Sequence, residues 1–155
     1  MSSHKIVFFG TSDFAVPILR RLAKDARFEL LAVITQPDRP VGRKAVLTSP
    51  PIKETAVALD IPVYQYENVK SEEAFEELKK LSADFYAVAS FGQIIPQRIL
   101  DIPKLGAINV HASLPEISRC FTYRRGPSGR RKRNRRFHYA YGCKNGSWRR
   151  FSECC

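Results

Sequence analysis

The sequence predicts an α/β fold, a doubly wound, Rossmann-like parallel sheet, over residues 1–116, followed by a disordered basic tail over residues 117–155. Three observations predict it. Short apolar runs alternate with amphipathic segments from Lys5 to Ser113, the pattern of strands joined by crossover helices. The runs are nearly continuous in apolar residues, as strands covered on both faces are. After Glu116 the aliphatic residues almost vanish and arginines crowd in.

The elements follow in order. "KIVFFG" is an apolar run closed by a glycine and reads as the first strand. In "TSDFAVPILRRLAKDARF", Thr11, Ser12 and Asp13 offer caps, Phe14, Ile18, Leu19 and Leu22 recur at helical spacing, and Pro17 suits only a first turn. "FELLAVITQ" is the second strand. "PDRPVGRKAVLTSPP" is a long loop rich in Pro and Gly, and long ordered loops are usually functional. "PPIKETAVALD" makes a helix with Ser49 placed to cap it, and "IPVYQ" a short strand. "SEEAFEELKKL" is an amphipathic helix with acids early and lysines late, as the helix dipole favours. "ADFYAVASFG" is a strand, "PQRILDIP" a short helix and "LGAINVHAS" the last strand. In such a sheet the ligand crevice lies beyond the carboxyl ends of the strands. The first of those ends, "GTSDF", lacks the second and third glycines of a dinucleotide fingerprint and reads as a tight turn into a helix.

A chain of 155 residues can bury one core. Its charge is unevenly spread. Residues 1–116 hold 14 Lys/Arg and 14 Asp/Glu, whereas residues 117–155 hold 12 Lys/Arg against one acid, Glu153, and so carry the entire net charge of +11. Cys120, Cys143, Cys154, Cys155 and Trp148 lie there too. A head without cysteine and with balanced charge fits a cytoplasmic protein. The apolar part of "MSSHKIVFFG" is too short for a signal peptide, and no stretch nears the ~18 apolar residues of a membrane helix.

The residues with chemistry are Asn109 and His111, two apart on the last strand and therefore on one face. An Asn amide can donate to a developing oxyanion, and a His can move a proton near neutral pH. By spacing alone, N-x-H is more often a loop entry with satisfied side chains.

Residues 5–116 resemble the methionyl-tRNA formyltransferase family, through "FFGTSDFAVPILRRL", "VITQPDRPVGRK", "SPPIKETA", "SFGQIIP" and "LGAINVHAS". The run "QPDRPVGRK" feeding "SPPIK" separates this family from other folate-dependent formyltransferases. The resemblance implies a doubly wound domain that moves a formyl group from 10-formyltetrahydrofolate, its co-substrate, onto the amino group of methionyl-initiator-tRNA, with no metal. It also implies a C-terminal barrel that helps hold the tRNA, and a monomer in the intact protein. Asn109 and His111 match the family's catalytic Asn and His. Ser113, Leu114 and Pro115 match its folate-binding "SLLP" with one Leu missing. Arg39, Arg43 and Lys44 lie in the segment that family members place against the tRNA acceptor end; otherwise they are cations of a solvated loop.

The family's third catalytic residue is an Asp further on, and residues 117–155 contain none. Codons for "ISRCF", written ATA TCG CGG TGC TTC, read one base later give "YRGAS", the family's continuation. "RRFHYAYGCKNGSW" likewise yields "GVSIMLMDAKMDHG", with the Asp spelled across Gly146 and Ser147. Codon choice makes one match cheap, but not two blocks in the right order and spacing. Residues from about Ile117 to Cys155 therefore read as out-of-frame translation ended by an accidental stop. The domain would be incomplete, the barrel absent, and the chain inactive. A segment so poor in aliphatic residues cannot offset its ordering entropy. The last strand would keep an open edge near Asn109 and His111, and the fragment would be prone to aggregate.

Two other readings compete. The tail could be a basic arm that binds RNA through "RRGPSGRRKRNRR" and Phe137, Tyr139 and Tyr141, which would make the chain a non-enzymatic binding protein. A zinc site from His138, Cys143, Cys154 and Cys155 has no C-x-x-C pair and the wrong spacing.

Overall fold

The computed structural model describes residues 3–111, 139–144 and 147–150. Strand β1 (His4–Gly10) leads through a 3-10 turn (Asp13–Ala15) into helix α1 (Val16–Ala23) and strand β2 (Phe28–Thr35). Two short strands follow, β3 (Arg39–Val41) and β4 (Val46–Thr48), then α2 (Pro51–Ala58), β5 (Val63–Gln65), α3 (Glu72–Lys80) and β6 (Phe85–Ala89). Helix α4 (Gln97–Leu100) and strand β7 (Ala107–His111) complete the head. The main sheet runs β5-β2-β1-β6-β7, and every pair in that series is parallel. This is the doubly wound sheet expected, and every expected strand and helix of the head is present.

Both faces of the sheet are covered, which is why the strands read as continuous apolar runs. In β1, Val7 and Phe9 turn to a cluster with Ala74 and Leu78 of α3 and Ile99 and Leu100 of α4. Ile6 and Phe8 turn the other way, to Leu19 of α1 and Ile52 and Ala56 of α2. All four β1 side chains are fully buried.

The caps differ in part from expectation. Ser71 accepts from the Ala74 N–H at 3.2 Å and starts α3, whose first turn holds Glu72 and Glu73 and whose last holds Lys79 and Lys80. Ser12 precedes the 3-10 turn but makes no capping bond; its hydroxyl bonds that of Ser90 at 2.7 Å, and Thr11 donates to the Phe91 carbonyl at 2.7 Å. Ser49 does not cap α2. Pro50 holds that position, and the Ser49 hydroxyl bonds Asp38 instead. Long-range partners outcompete the local ones. The expected loop 37–51 also contains an antiparallel ribbon, β3 with β4.

The tail departs from the expected picture. Strand β8 (Tyr139–Lys144) pairs antiparallel with β7, and β9 (Ser147–Arg150) pairs antiparallel with β8. The β7 edge, expected to be open, is thus occupied. A row of unpaired backbone groups on β7 is a template for another strand. Lys144 pairs with Ser147 across a two-residue link, Asn145-Gly146, the strongest short hairpin signal in a sequence. The rest of the tail, where the expectation of disorder mostly falls, lies outside the described residues, as do Ser113, Leu114 and Pro115. No helix among the described residues is long and apolar enough to cross a membrane.

Candidate functional site

The strand order reverses between β1 and β6. The chain leaves β1 toward β2 on one side and β6 toward β7 on the other, which makes their carboxyl ends the switch point where folds of this kind place a ligand. Backbone must pass very close here. A Cβ on Gly10 would lie 2.7 Å from the Phe8 ring, 2.8 Å from the Ala15 methyl and 3.2 Å from the Ala89 carbonyl oxygen, so only glycine fits. Beyond β6 the chain bends sharply, with Ser90 at φ +49° and Gly92 at +82°. This bend is tied to the ends of β1 and β2: Thr11 and the Gln36 amide both donate to the Phe91 carbonyl.

Asn109 and His111 stand beside that bend. Parallel pairing sets Asn109 level with Val88 and Val110 level with Ala89, so His111 lies one residue beyond the last paired position. Ala107 packs in the α3/α4 cluster and Val110 against the α1/α2 cluster, so Asn109 and His111 share the face of Ala107. Asn109 is half-buried and His111 exposed at the strand end. A donor amide and an imidazole thus share one face at the carboxyl end of β7.

The three cations lie in the β3–β4 ribbon, which rises from the end of β2 at the same edge. Arg39 opens β3 and pairs with Glu67 at 2.9 Å, both well exposed. Arg43 and Lys44 occupy the exposed turn between the strands, beside Gly42 at φ +75° and Ala45 at φ +48°. Val41, Val46 and Leu47 are also exposed, at 57%, 60% and 67%. A cleft of about 220 Å³ opens beneath the ribbon, lined by Thr11, Gln36, Arg39, Val41, Thr48, Ser49 and the prolines that flank the ribbon. The ribbon and Asn109/His111 form two stations on one edge. β2 and β7 are separated by β1 and β6, roughly 14 Å at the usual strand spacing.

Sequence reasoning missed Asp38. Its carboxylate accepts from Lys53 Nζ at 2.8 and 2.9 Å, from Gln65 Nε2 at 2.8 Å and from Ser49 Oγ at 3.3 Å. The Lys53 ammonium above all, then Gln65 and to a lesser extent Ser49, holds the carboxyl below the usual carboxylate range, while burial works against them. The signal available was an acid in a basic loop followed by "SPPIK"; two of its three partners, Lys53 and Gln65, lie on other elements. Among the described residues, no group of three or more His, Cys, Asp or Glu is placed to hold a metal ion. The side chains of His138, Cys143, Cys154 and Cys155 lie outside them.

Residues 4–117 match the formyl transferase family. The chain belongs to that family. A relative from Macrococcus caseolyticus, a methionyl-tRNA formyltransferase, is 59% identical over 110 residues, which are 71% of this chain and 35% of the relative. The chain thus spans about a third of the length of the curated relatives it matches. Among solved structures, a phosphoribosylglycinamide formyltransferase from Brucella melitensis superposes with a TM-score of 0.55 at 19% identity, over 77% of this chain and 62% of that one. A formyltetrahydrofolate deformylase from Pseudomonas putida superposes with a TM-score of 0.53 at 18% identity, over 73% and 40%. At these identities the likeness is one of fold. The formyl transferase match ends at 117, where the sequence changes character.

Proposed function

We propose that residues 1–116 are the N-terminal part of a methionyl-tRNA formyltransferase, which transfers a formyl group from 10-formyltetrahydrofolate to the amino group of methionyl-initiator-tRNA in the cytoplasm. The observation that carries this reading is Asn109 and His111 on one face of β7, at its carboxyl end, in a chain whose residues 4–117 match the formyl transferase family. In the reaction the amine attacks the formyl carbon and negative charge builds on its oxygen. The Asn109 amide donates to that oxygen, and His111 takes part in moving the proton that the amine loses. The leaving group is the folate nitrogen. Ser113, Leu114 and Pro115 belong to the loop that binds the folate, and Arg39, Arg43 and Lys44 meet the acceptor end of the tRNA. The ribbon's exposure and its three cations suit an anionic partner.

Residues 117–155 are, in this proposal, out-of-frame translation, and the 155-residue chain is inactive because the family's Asp is not spelled in its frame. The test is a formylation assay with methionyl-tRNA and 10-formyltetrahydrofolate on this chain and on a gene with the frame restored. The restored gene is active and this chain is not; equal turnover by both overturns the proposal. The pairing of β8 and β9 onto β7 favours a second reading, in which the tail is an evolved, ordered RNA-binding arm. Under it, the tail selects initiator tRNA at high salt. Out-of-frame sequence binds RNA weakly and without preference.

A further inference from the structure

Every residue from Arg39 to Thr48 is exposed, so the β3–β4 ribbon has no core of its own. A lone two-stranded ribbon is at best marginally stable in water. Something must hold it at a fixed angle to the sheet. Its two feet are Asp38, one residue before β3, and Ser49, one residue after β4. The Ser49 hydroxyl bonds the Asp38 carboxylate and closes the base. The same carboxylate takes both short contacts of Lys53 on α2 and one from Gln65 at the end of β5. Gln65 Nε2 also donates to the Gln36 carbonyl at 2.9 Å, just before the ribbon.

Three separate elements therefore meet on one carboxylate. Asp38 and Lys53 are only 25% and 27% exposed, so their pair is partly shielded from water. The other ion pair of the ribbon, Arg39 with Glu67, is 58% and 72% exposed, and pairs of that kind contribute little. Charge-assisted bonds in a partly shielded place are the stronger kind. We infer that Asp38 is the positioning residue of the ribbon: its carboxylate fastens both feet to α2 and β5 and so sets where Arg39, Arg43 and Lys44 stand. The consequence for tRNA rests on the function proposed above. The fastening itself does not.

Hydrogen exchange of individual amides in the full 155-residue chain tests the fastening without any substrate, so its failure is separate from a failure of the functional reading. Asp38→Asn removes the charge and keeps the shape. Lys53→Met removes the partner and stands in if Asp38→Asn does not fold. Both lower the protection of the β3 and β4 amides by about tenfold or more, while β1 and β6 amides change less than about twofold, because the opening is local. Asp38→Glu, which keeps the charge, recovers most of the ribbon's protection. Two results overturn the inference: ribbon exchange unchanged in Asp38→Asn and Lys53→Met, or β1 and β6 loosening in step with the ribbon.

Discussion

Thr11 and Gln36, at the ends of two neighbouring strands, donate to one acceptor, the Phe91 carbonyl, at 2.7 and 3.1 Å. That shared bond pins the bend after β6 against β1 and β2. Gly92 sits in the bend at φ +82°, and a Cβ there would collide with the Gln36 amide. Gly92→Ala is therefore expected to lose roughly 1–3 kcal/mol from backbone strain and displacement of Gln36. Urea denaturation of the parent and the variant measures it. A loss under about 0.5 kcal/mol would mean that the bend is free to adjust.

Tyr86 gives the opposite expectation. Its ring is fully buried against Phe9, at 5.0 Å between centroids, and its hydroxyl has no partner among the described residues. Burial pushes its pKa far up, so the group stays neutral. Tyr86→Phe removes an unsatisfied oxygen and should leave stability unchanged or raise it by about 1 kcal/mol. Tyr86→Ala should cost about 3–5 kcal/mol through the cavity. If Tyr86→Phe destabilises by more than ~1 kcal/mol, the hydroxyl has a partner, such as a buried water.

Asp25 supplies a pH test. Two side-chain bonds from Arg27, at 2.9 and 2.7 Å, and one from the Arg27 N–H bring its pKa from 3.8 down to about 2. A lowered carboxylate pKa means that the contact is fully made above pH 3.8 and is lost as pH falls through about 2. Carbon-detected titration should find the midpoint near 2 in the parent and higher in Arg27→Ala, yet still below the ordinary value because the backbone N–H of residue 27 goes on donating to Asp25. Equal midpoints in the two proteins would remove Arg27 as the cause.

The catalytic assignment is tested in the gene with its frame restored. Asn109→Ala should lower kcat by on the order of 100- to 1,000-fold, the usual loss of one oxyanion donor. His111→Ala should lower it at least about 100-fold. Arg43→Ala should instead raise KM for the tRNA with kcat nearly kept, because it contributes uniform binding. An Asn109→Ala enzyme within about tenfold of the parent would remove Asn109 from the chemistry.

The nucleotide sequence of codons 117 to 150 decides the origin of the tail. Read one base later, it should spell "YRGAS" and "GVSIMLMDAKMDHG". A shifted frame that soon closes with stop codons and holds none of the family's residues ends the out-of-frame reading. Either way the cationic run should bind single-stranded RNA with a log–log salt slope of about −0.7 per phosphate contact. A slope near zero would mean that the arginines do not face the RNA.

Some of this was legible because it is local. Helix α3 could be read from its early acids and late lysines, and it forms as read. The inner strands β1, β2 and β6 could be read from apolar runs, since they are covered on both faces, and period two alone put Asn109 and His111 on one side of β7. The rest depends on residues far apart in the chain. The ribbon was invisible because its strands are three residues long, contain Pro40 and bury nothing; its feet are held by Lys53 and Gln65, and nothing near Asp38 announces them. Ser49 and Ser12 looked like caps because helix starts follow them, yet each hydroxyl found a partner on another element. The pairing of β8 with β7 was foreshadowed only by Asn145-Gly146, which marks a hairpin but not the edge it joins. Parallel sheets make this division inevitable. Each strand declares its own burial, but which strand ends meet around a crevice is settled by crossovers that bring distant segments side by side.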